Sequence, residues 1–409
     1  MKILISAYSC EPSIGSQPSV SWNLVCEIAN YHEVWVLTQP SKSQNLLETE
    51  LARNLIPNLH FVCFTAPFWQ RGGWQHSRAM EFHYYLWQIQ AYFIARRLHQ
   101  KIGFDLSHDL TFAKRSHLSF LSLMPLPLVW GSTGRGESAP AAFWQDFSFQ
   151  AKAAEIARST LRWVGKQNPF VRLTPKKNTV LVQAITIDTA KQHKLGVSQV
   201  QVIPFGLSEE EIARLAKYEI PNESTIRFIS IGRLSPWEGF HIGLRAFAQA
   251  NLPNTEYWIV GEGAELERLQ NLAQDLQIIH QVKFWGKLPR EKVLDLLSDC
   301  HVLVHPSLHD SGGWACIEAM AAGRPVLCLD LGEPAIQVTE ETGVKIAADE
   351  PYQAVRDLAA AMIQLANDRE MRLSMGQAGR SRVSQYYTWK AIGKNLNQLY
   401  INIVQQANP

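Results

Sequence analysis

Thirteen short apolar runs constrain this chain more than any other feature. Seven of them come first: KILISAY (2–8), HEVWVLT (32–38), LHFVCFT (59–65), FDLSHDL (104–110), LPLVWGS (126–132), TVLVQA (179–184) and VQVIPFG (200–206). Six more follow: IRFISIG (226–232), EYWIVGE (256–262), VKFWG (282–286), HVLVHPS (301–307), PVLCLDL (325–331) and VKIAA (344–348). Each is too short for a helix and too continuously apolar for a strand with one wet face. Segments of helical length separate most of them. That pattern belongs to parallel sheets covered by helices on both faces. Two such series in 409 residues predict an α/β chain of two doubly wound, Rossmann-like domains.

The connection between the series falls in the acidic, proline-containing stretch FGLSEEEIARLAKYEIPNES (205–224). We therefore expect an N-terminal domain over 1–206 and a second domain over 207–385, with a C-terminal helix over 386–409. Nothing strand-like follows residue 348, so the last helical segments must pack on sheets already formed. In an open parallel sheet, ligands bind beyond the carboxyl ends of the strands. The loops that follow strands are where chemistry is to be sought.

Composition narrows the class without naming a reaction. A net charge of +2 supplies no global field to recruit nucleic acid. The six cysteines, at positions 10, 26, 63, 300, 316 and 328, have no CxxC or other metal-site spacing and read as reduced thiols. MKILISAY enters a strand directly and lacks a signal-peptide pattern, so a cytoplasmic location is expected. The longest mainly apolar run, SFLSLMPLPLVW (119–130), is too short and proline-broken to span a bilayer. The stretch over 68–101 mixes aromatics with Arg71, Arg78, Arg96 and Arg97. It reads either as a helix with its apolar face in the core or as a peripheral contact with an anionic membrane.

Several post-strand loops carry residues suited to an anionic, hydroxyl-rich ligand. Gly15 and Ser16 precede a helix whose amides can hold an anion. The loop GSTGRGESAP (131–140) sets Arg135 among three glycines, where its guanidinium can face a phosphate or carboxylate. His108 ends a strand and suits either a sugar hydroxyl or a structural bond. In the second series, Arg233 follows a strand-ending glycine and suits a diphosphate. Glu262, in VGEGAEL, can meet a ribose or base, and Lys287 flanks a third such turn.

The most specific stretch is HDSGGWACIEAMAAGRPVLCLD (309–330). Gly312 and Gly313 expose amides at a helix start, where the dipole favours an anion. Glu318, about a turn into that helix, can accept two vicinal hydroxyls, and Asp310 on the loop can accept hydroxyls from another part of the ligand. The plainer reading is an Asp N-cap with a half-buried Glu.

At these residues the chain resembles the retaining GT-B glycosyltransferases of family four, the group 1 glycosyltransferases. SIGRLSPWEG, WIVGEGAE, FWGKLPRE and HPSLHDSGGWACIEAMAAGRPV occur in the family's order and spacing. AYSCEPSIGSQP, HEVWVLT and VWGSTGRGE are similar to a subgroup of polysaccharide and cell-surface glycan pathways. SQYYTWKAIGKNL is similar to the family's last helix, which returns to the first domain. The resemblance implies a nucleotide-diphosphate sugar as donor substrate and a glycan or lipid-linked hydroxyl as acceptor. It implies hexose transfer with retained configuration, and no metal or other cofactor. It assigns Glu318 to the ribose, Asp310 to the sugar hydroxyls, and Gly312 and Gly313 to the donor sugar or diphosphate. Arg233 would hold the diphosphate and Gly15 would lie beside it. His108 would lie near the transferred sugar, and backbone at Lys287 and Leu288 near the base.

Four positions depart from the family pattern. Glu238 stands where lysine is usual, Gln17 where Glu is frequent, Arg135 where glycine is usual, and Asp310 in place of Glu. A carboxylate at Glu238 would repel a diphosphate by roughly 4 kcal/mol at about 4 Å with an effective dielectric near 20. Arg135 is the expected compensating cation. The alternative function is a catalytically degenerate relative that binds glycans or partner enzymes without turnover.

Overall fold

The computed structural model describes residues 1–12, 17–40, 56–65, 77–110, 119–133, 139–167, 180–184, 200–202, 205–222, 224–309 and 312–407. The chain divides into two compact units. Unit 1 comprises Met1–Gly136, Leu161–Ile203 and Trp389–Pro409; unit 2 comprises Glu137–Thr160 and Pro204–Thr388.

The described residues of unit 1 contain seven strands: β1 (Lys2–Ser6), β2 (Glu33–Thr38), β3 (Leu59–Cys63), β4 (Leu106–Asp109), β5 (Leu128–Thr133), β6 (Val180–Ala184) and β7 (Val200–Val202). They form one sheet in the order β3-β2-β1-β4-β5-β6-β7. Every pair is parallel. Its helices include α1 (Gln17–Ala29) and α2 (Ser77–Ile102). Helix α3 (Phe149–Gln167) runs on into this unit from unit 2.

Helix α2 turns Tyr84, Trp87, Ala91 and Ala95 into a core with Leu4, Leu37, Leu128 and Trp130 of the sheet. That spacing keeps one helical face buried. The opposite face exposes Ile89 and Phe93 beside the exposed Arg96 and Arg97. Of the two readings of this stretch, burial of the apolar face in the core is observed for the described side chains.

Unit 2 contains β8 (Ile226–Ile231), β9 (Thr255–Val260), β10 (Val282–Gly286), β11 (Val302–His305), β12 (Val326–Leu329) and β13 (Gly343–Ile346). The order is β10-β9-β8-β11-β12-β13, again all parallel. Each of the thirteen apolar runs thus contains a strand. The helices are α4 (Glu209–Leu215), α5 (Phe240–Ala250), α6 (Leu266–Asp275), α7 (Arg290–Asp299), α8 (Trp314–Ala321), α9 (Pro334–Gln337), α10 (Pro351–Asn367) and α11 (Arg369–Tyr386).

Strand alternation supplies two cores, one on each face of this sheet. Phe228, Tyr257, Ile259, Val302, Val304 and Leu327 pack with side chains of α5, α6 and α10. Their neighbours Ile229, Trp258, Val260, Leu303, Val326 and Cys328 pack with side chains of α7, α8 and α11. Both faces are therefore dry, which is why these strands read as continuous apolar runs.

The last helix, α12 (Trp389–Ala407), belongs to unit 1 and packs on α1. A Cβ at Gly393 would lie 2.8 Å from Cβ of Glu27, so the close crossing needs glycine there.

One boundary departs from expectation. Glu137–Thr160, expected in the first domain, belongs to unit 2. Phe143, Phe147 and Ala151 join the core of α5 and α6. Arg245 donates to Asp146 Oδ2 at 2.9 Å, and Arg268 donates to the Asp146 carbonyl at 2.7 Å. The stretch 205–224, read as the connection, contains a properly started helix. Ser208 and Glu211 form a reciprocal capping box, and Leu207 and Leu215 are buried in the core.

Candidate active site

In the sheet of unit 2 the strand order reverses between β8 and β11. Loops leaving the carboxyl ends of two such strands diverge to opposite faces and open a crevice. Arg233 and Glu238 follow β8, and Gly312 and Gly313 follow β11.

Backbone hydrogen bonds lace these loops to their neighbours. Gly232 N–H donates to the Val260 carbonyl at 3.0 Å, and Leu234 N–H donates to that of Glu262 at 2.9 Å. Gly261 N–H donates to Gly286 O at 2.9 Å, and Leu308 N–H to Trp237 O at 2.8 Å. Gly239 is fixed by the same lacing. Its φ is +68°, and a Cβ there would lie 1.9 Å from the Pro306 carbonyl oxygen.

Gly313 caps α8 with φ +55°, and a Cβ would lie 2.3 Å from Gln337 Oε1. The same Gln337 donates through Nε2 to the Gly312 carbonyl at 3.3 Å. The glycine pair is thereby held at the helix start by α9 behind it.

Glu318 lies in α8 with a relative exposure of 4%. A buried carboxylate requires a partner, and Arg290, the first residue of α7, supplies it. Its Nη1 donates to Glu318 Oε1 at 2.6 Å, and its Nη2 donates to Glu211 Oε1 at 2.7 Å. Burial raises the Glu318 carboxyl above the usual range, and the Arg290 charge opposes that rise. Burial would also raise Glu211. The Arg290 hydrogen bond and the capping contacts with Ser208 outweigh it, leaving Glu211 below its ordinary value.

The other expected residues fall into different settings. Arg233 is exposed, with no side-chain partner among the described residues. Glu238 is half-buried and accepts from Ser307 Oγ at 3.1 Å, so its carboxylate is tied to the residue just past β11. Lys287 and Glu262 pair with each other at 2.7 Å, both well exposed. Leu288 is half-buried against the core of unit 2. Gly15, Arg135 and Asp310 lie outside the described residues, so the expected compensation of Glu238 by Arg135 does too.

His108 is a correction. The ring is fully buried in unit 1. Nε2 donates to the Gly131 carbonyl at 2.8 Å, which leaves Nδ1 to accept from the Tyr400 hydroxyl at 2.5 Å. With both nitrogens used, this histidine ties β4 to β5 and α12 and has no face for a sugar.

Sequence reasoning missed Arg290 and Glu211. A signal was present: Arg290 begins a helix, where the dipole disfavours a cation. Such a charge needs a carboxylate to hold it.

Residues 212–382 match the family model described as glycosyl transferases group 1. Most of the second unit is therefore similar to the group 1 glycosyl transferases. The match covers Arg233, Arg290, the glycine pair and Glu318, and it stops short of α12.

Curated relatives are similar to part of the chain. D-inositol 3-phosphate glycosyltransferase of Corynebacterium diphtheriae is 30% identical over 179 residues, 42% of this chain and 41% of that protein. Glycogen synthase of Mycobacterium tuberculosis is 26% identical over 209 residues, 50% of this chain and 49% of that one. The alignments thus span less than half the length of these relatives.

Solved structures match over nearly the whole chain and show that it has the GT-B fold. Anabaena HepE in complex with UDP and glucose is 19% identical, with a TM-score of 0.58 over 98% of this chain and all of that one.

Proposed function

We propose that the protein is a glycosyltransferase that moves a hexose from a nucleotide-diphosphate sugar to a hydroxyl of a glycan or lipid-linked acceptor. The observation that carries this reading is the pairing of groups at the β8/β11 reversal. A buried, charge-paired carboxylate, Glu318, shares a helix start with Gly312 and Gly313, and an exposed guanidinium, Arg233, follows the adjacent strand. A ribose needs the first, a diphosphate the second and third. Asp310, on the same loop in sequence, would take the sugar hydroxyls.

The chemistry proposed is transfer with retention and without a metal ion. The bond from the anomeric carbon to the diphosphate oxygen breaks, and a bond to the acceptor oxygen forms on the same face. The acceptor proton passes to the departing diphosphate. Arg233 and the amides before α8 would stabilise the charge that develops on that group. No side-chain nucleophile is called for, and His108, sealed in unit 1, takes no part.

The protein is proposed to act in the cytoplasm, in polysaccharide or cell-surface glycan synthesis. Among the described residues no helix is long and apolar enough to cross a membrane. Contact with an anionic membrane surface through the outer face of α2 is part of the same proposal. Vesicle cosedimentation that is unchanged in Phe93→Glu would remove that part.

Calorimetry with UDP, GDP and ADP tests the central reading. One nucleotide is expected to bind with micromolar affinity, roughly −8 kcal/mol, and Arg233→Ala is expected to weaken it at least tenfold. Absence of binding by all three would refute the donor assignment.

A further inference from the structure

Arg290 joins its own helix, α7, to two other helices of unit 2. Its guanidinium bonds Glu318 of α8 and Glu211 of α4, and its Cζ lies 5.7 Å from the centroid of the Trp314 ring. Glu211 is itself anchored, because its Oε2 accepts from the Ser208 N–H and hydroxyl at 3.1 Å each. The Glu318 carboxylate is therefore gripped through Oε1 by a group that is gripped from behind. No second hydrogen bond to Glu318 is made by a described residue, so Oε2 remains for a ligand.

We propose that Arg290 is the positioning residue of the ribose-binding carboxylate, fixing Glu318 by one oxygen and holding it ionised, and that Glu211 sets how much of the Arg290 charge Glu318 receives. The proposal rests on the reading of Glu318 as the group that takes the ribose hydroxyls.

An ionised Glu318 accepts from both vicinal hydroxyls, whereas a protonated one spends a lone-pair site on its own proton. Burial alone pushes this carboxyl toward protonation. Arg290 is the cation that opposes it, and Glu211 is the anion that shares that cation and repels Glu318. Of the other charged groups on elements packed against α8, Glu209 and Glu210 of α4 are exposed and Arg214 pairs with Asp295. Arg380 and Arg382 of α11 donate to the carbonyls of Tyr218 and Gln337. Glu333, beside α9, is fully buried, and His305 ends β11.

The two partners must therefore act in opposite directions. Removing Arg290 raises the Glu318 pKa further, and removing the Glu211 charge lowers it. Binding that needs the carboxylate is present above the Glu318 pKa and lost as pH falls through it. The pH at half-loss should move up in Arg290→Met and down in Glu211→Gln. A purely structural role for Arg290 would weaken binding without opposed shifts.

The experiment uses UDP, GDP and ADP, then the 2′,3′-dideoxy form of whichever binds, titrated calorimetrically from about pH 8 to about pH 5. Wild type is expected to prefer the ribo form by at least roughly tenfold, and Glu318→Ala to abolish the preference. Arg290→Met should collapse the preference at neutral pH, and Arg290→Lys should restore part of it. Glu211→Gln should keep it and extend it to lower pH. If wild type shows no ribo preference, or Glu318→Ala keeps it, the ribose reading fails and this proposal with it. If that preference depends on Glu318 but neither Arg290→Met nor Glu211→Gln shifts the pH of half-loss, the positioning role alone is overturned. Should Arg290→Met not fold, the downward shift in Glu211→Gln remains the deciding result.

Discussion

Acidification from about pH 7 to about pH 5 should destabilise unit 2 by about 2 kcal/mol for each of two buried histidines. His301, just before β11, is fully buried, and its Nδ1 accepts from the Arg227 backbone N–H at 3.1 Å. Protonating that nitrogen would destroy the bond. Burial, followed by the charges of Arg372, Arg324 and Arg227, lowers its pKa to about 4. His241 in α5 is 1% exposed and lowered to about 3 by burial, with Asp146 opposing and Arg268 and Arg245 reinforcing.

Both folded values lie below the 6.5 of an unfolded chain, so the unfolded state takes up the proton first. Stability is therefore intact above 6.5 and lost as pH falls toward the folded values. At about pH 5 each histidine has crossed roughly 1.5 units at about 1.4 kcal/mol per unit. Together that is about 4 kcal/mol, a large share of the roughly 5–15 kcal/mol of a typical domain.

Urea unfolding followed by tryptophan fluorescence at stepped pH measures the loss. His301→Asn keeps an acceptor oxygen near the Nδ1 position and cannot titrate, so it should lose about 2 kcal/mol less than wild type over the interval. Equal losses in the two proteins would refute the assignment. Carboxylates do not imitate the effect, because Glu211, held below 4.5, gives up its contribution at lower pH.

Other substitutions probe the frame and the departures from the family pattern. Gly239→Ala combines a φ of +68° with a Cβ 1.9 Å from the Pro306 oxygen and should cost at least about 2 kcal/mol in urea unfolding, because the partner is backbone and cannot step aside. Phe143→Ala, which empties a fully buried ring site in the core of unit 2, should cost about 3–5 kcal/mol by the same measurement. Glu238→Lys replaces an anion with a cation and should tighten binding of the preferred nucleoside diphosphate at least about tenfold by calorimetry; unchanged affinity would show that the carboxylate held by Ser307 never opposed the ligand.

The strand content was legible because burial on both sheet faces leaves a local signature: a run such as IRFISI is apolar or β-branched nearly throughout. The helix start at Ser208 and Glu211 was missed although its capping is local, because the acidic, proline-containing stretch reads as a connection. What else escaped was long-range. Asp146 is fastened by Arg245 and Arg268, about a hundred residues on, and no local pattern announces that Glu137–Thr160 will leave the domain whose sequence surrounds it. His108 misled for a related reason. A histidine ending a strand looks available until Tyr400, 292 residues away, fills its second nitrogen. At the site, Glu318 was visible from its spacing behind the glycines. Its partner was not, because Arg290 reaches it from another helix.

The ion pairs around the site differ in kind, and the difference has a use. Lys287 and Glu262 are both more than half exposed, and such a pair contributes at most about 1 kcal/mol and exchanges readily. Arg290 and Glu318 bind each other where the carboxylate is nearly dry, and breaking such a pair by deleting one partner costs about 3–5 kcal/mol. On the proposed reading, ribose and diphosphate are shared by every nucleotide-sugar donor. The base and sugar are not. A fixed carboxylate and glycine pair suit the shared part, since their geometry never needs to change. An exposed, exchangeable pair on the rim can yield its carboxylate or its ammonium to whichever group a particular donor presents. Discrimination among donors should therefore respond to substitutions at Glu262 and Lys287, while loss at Glu318 should weaken all donors alike.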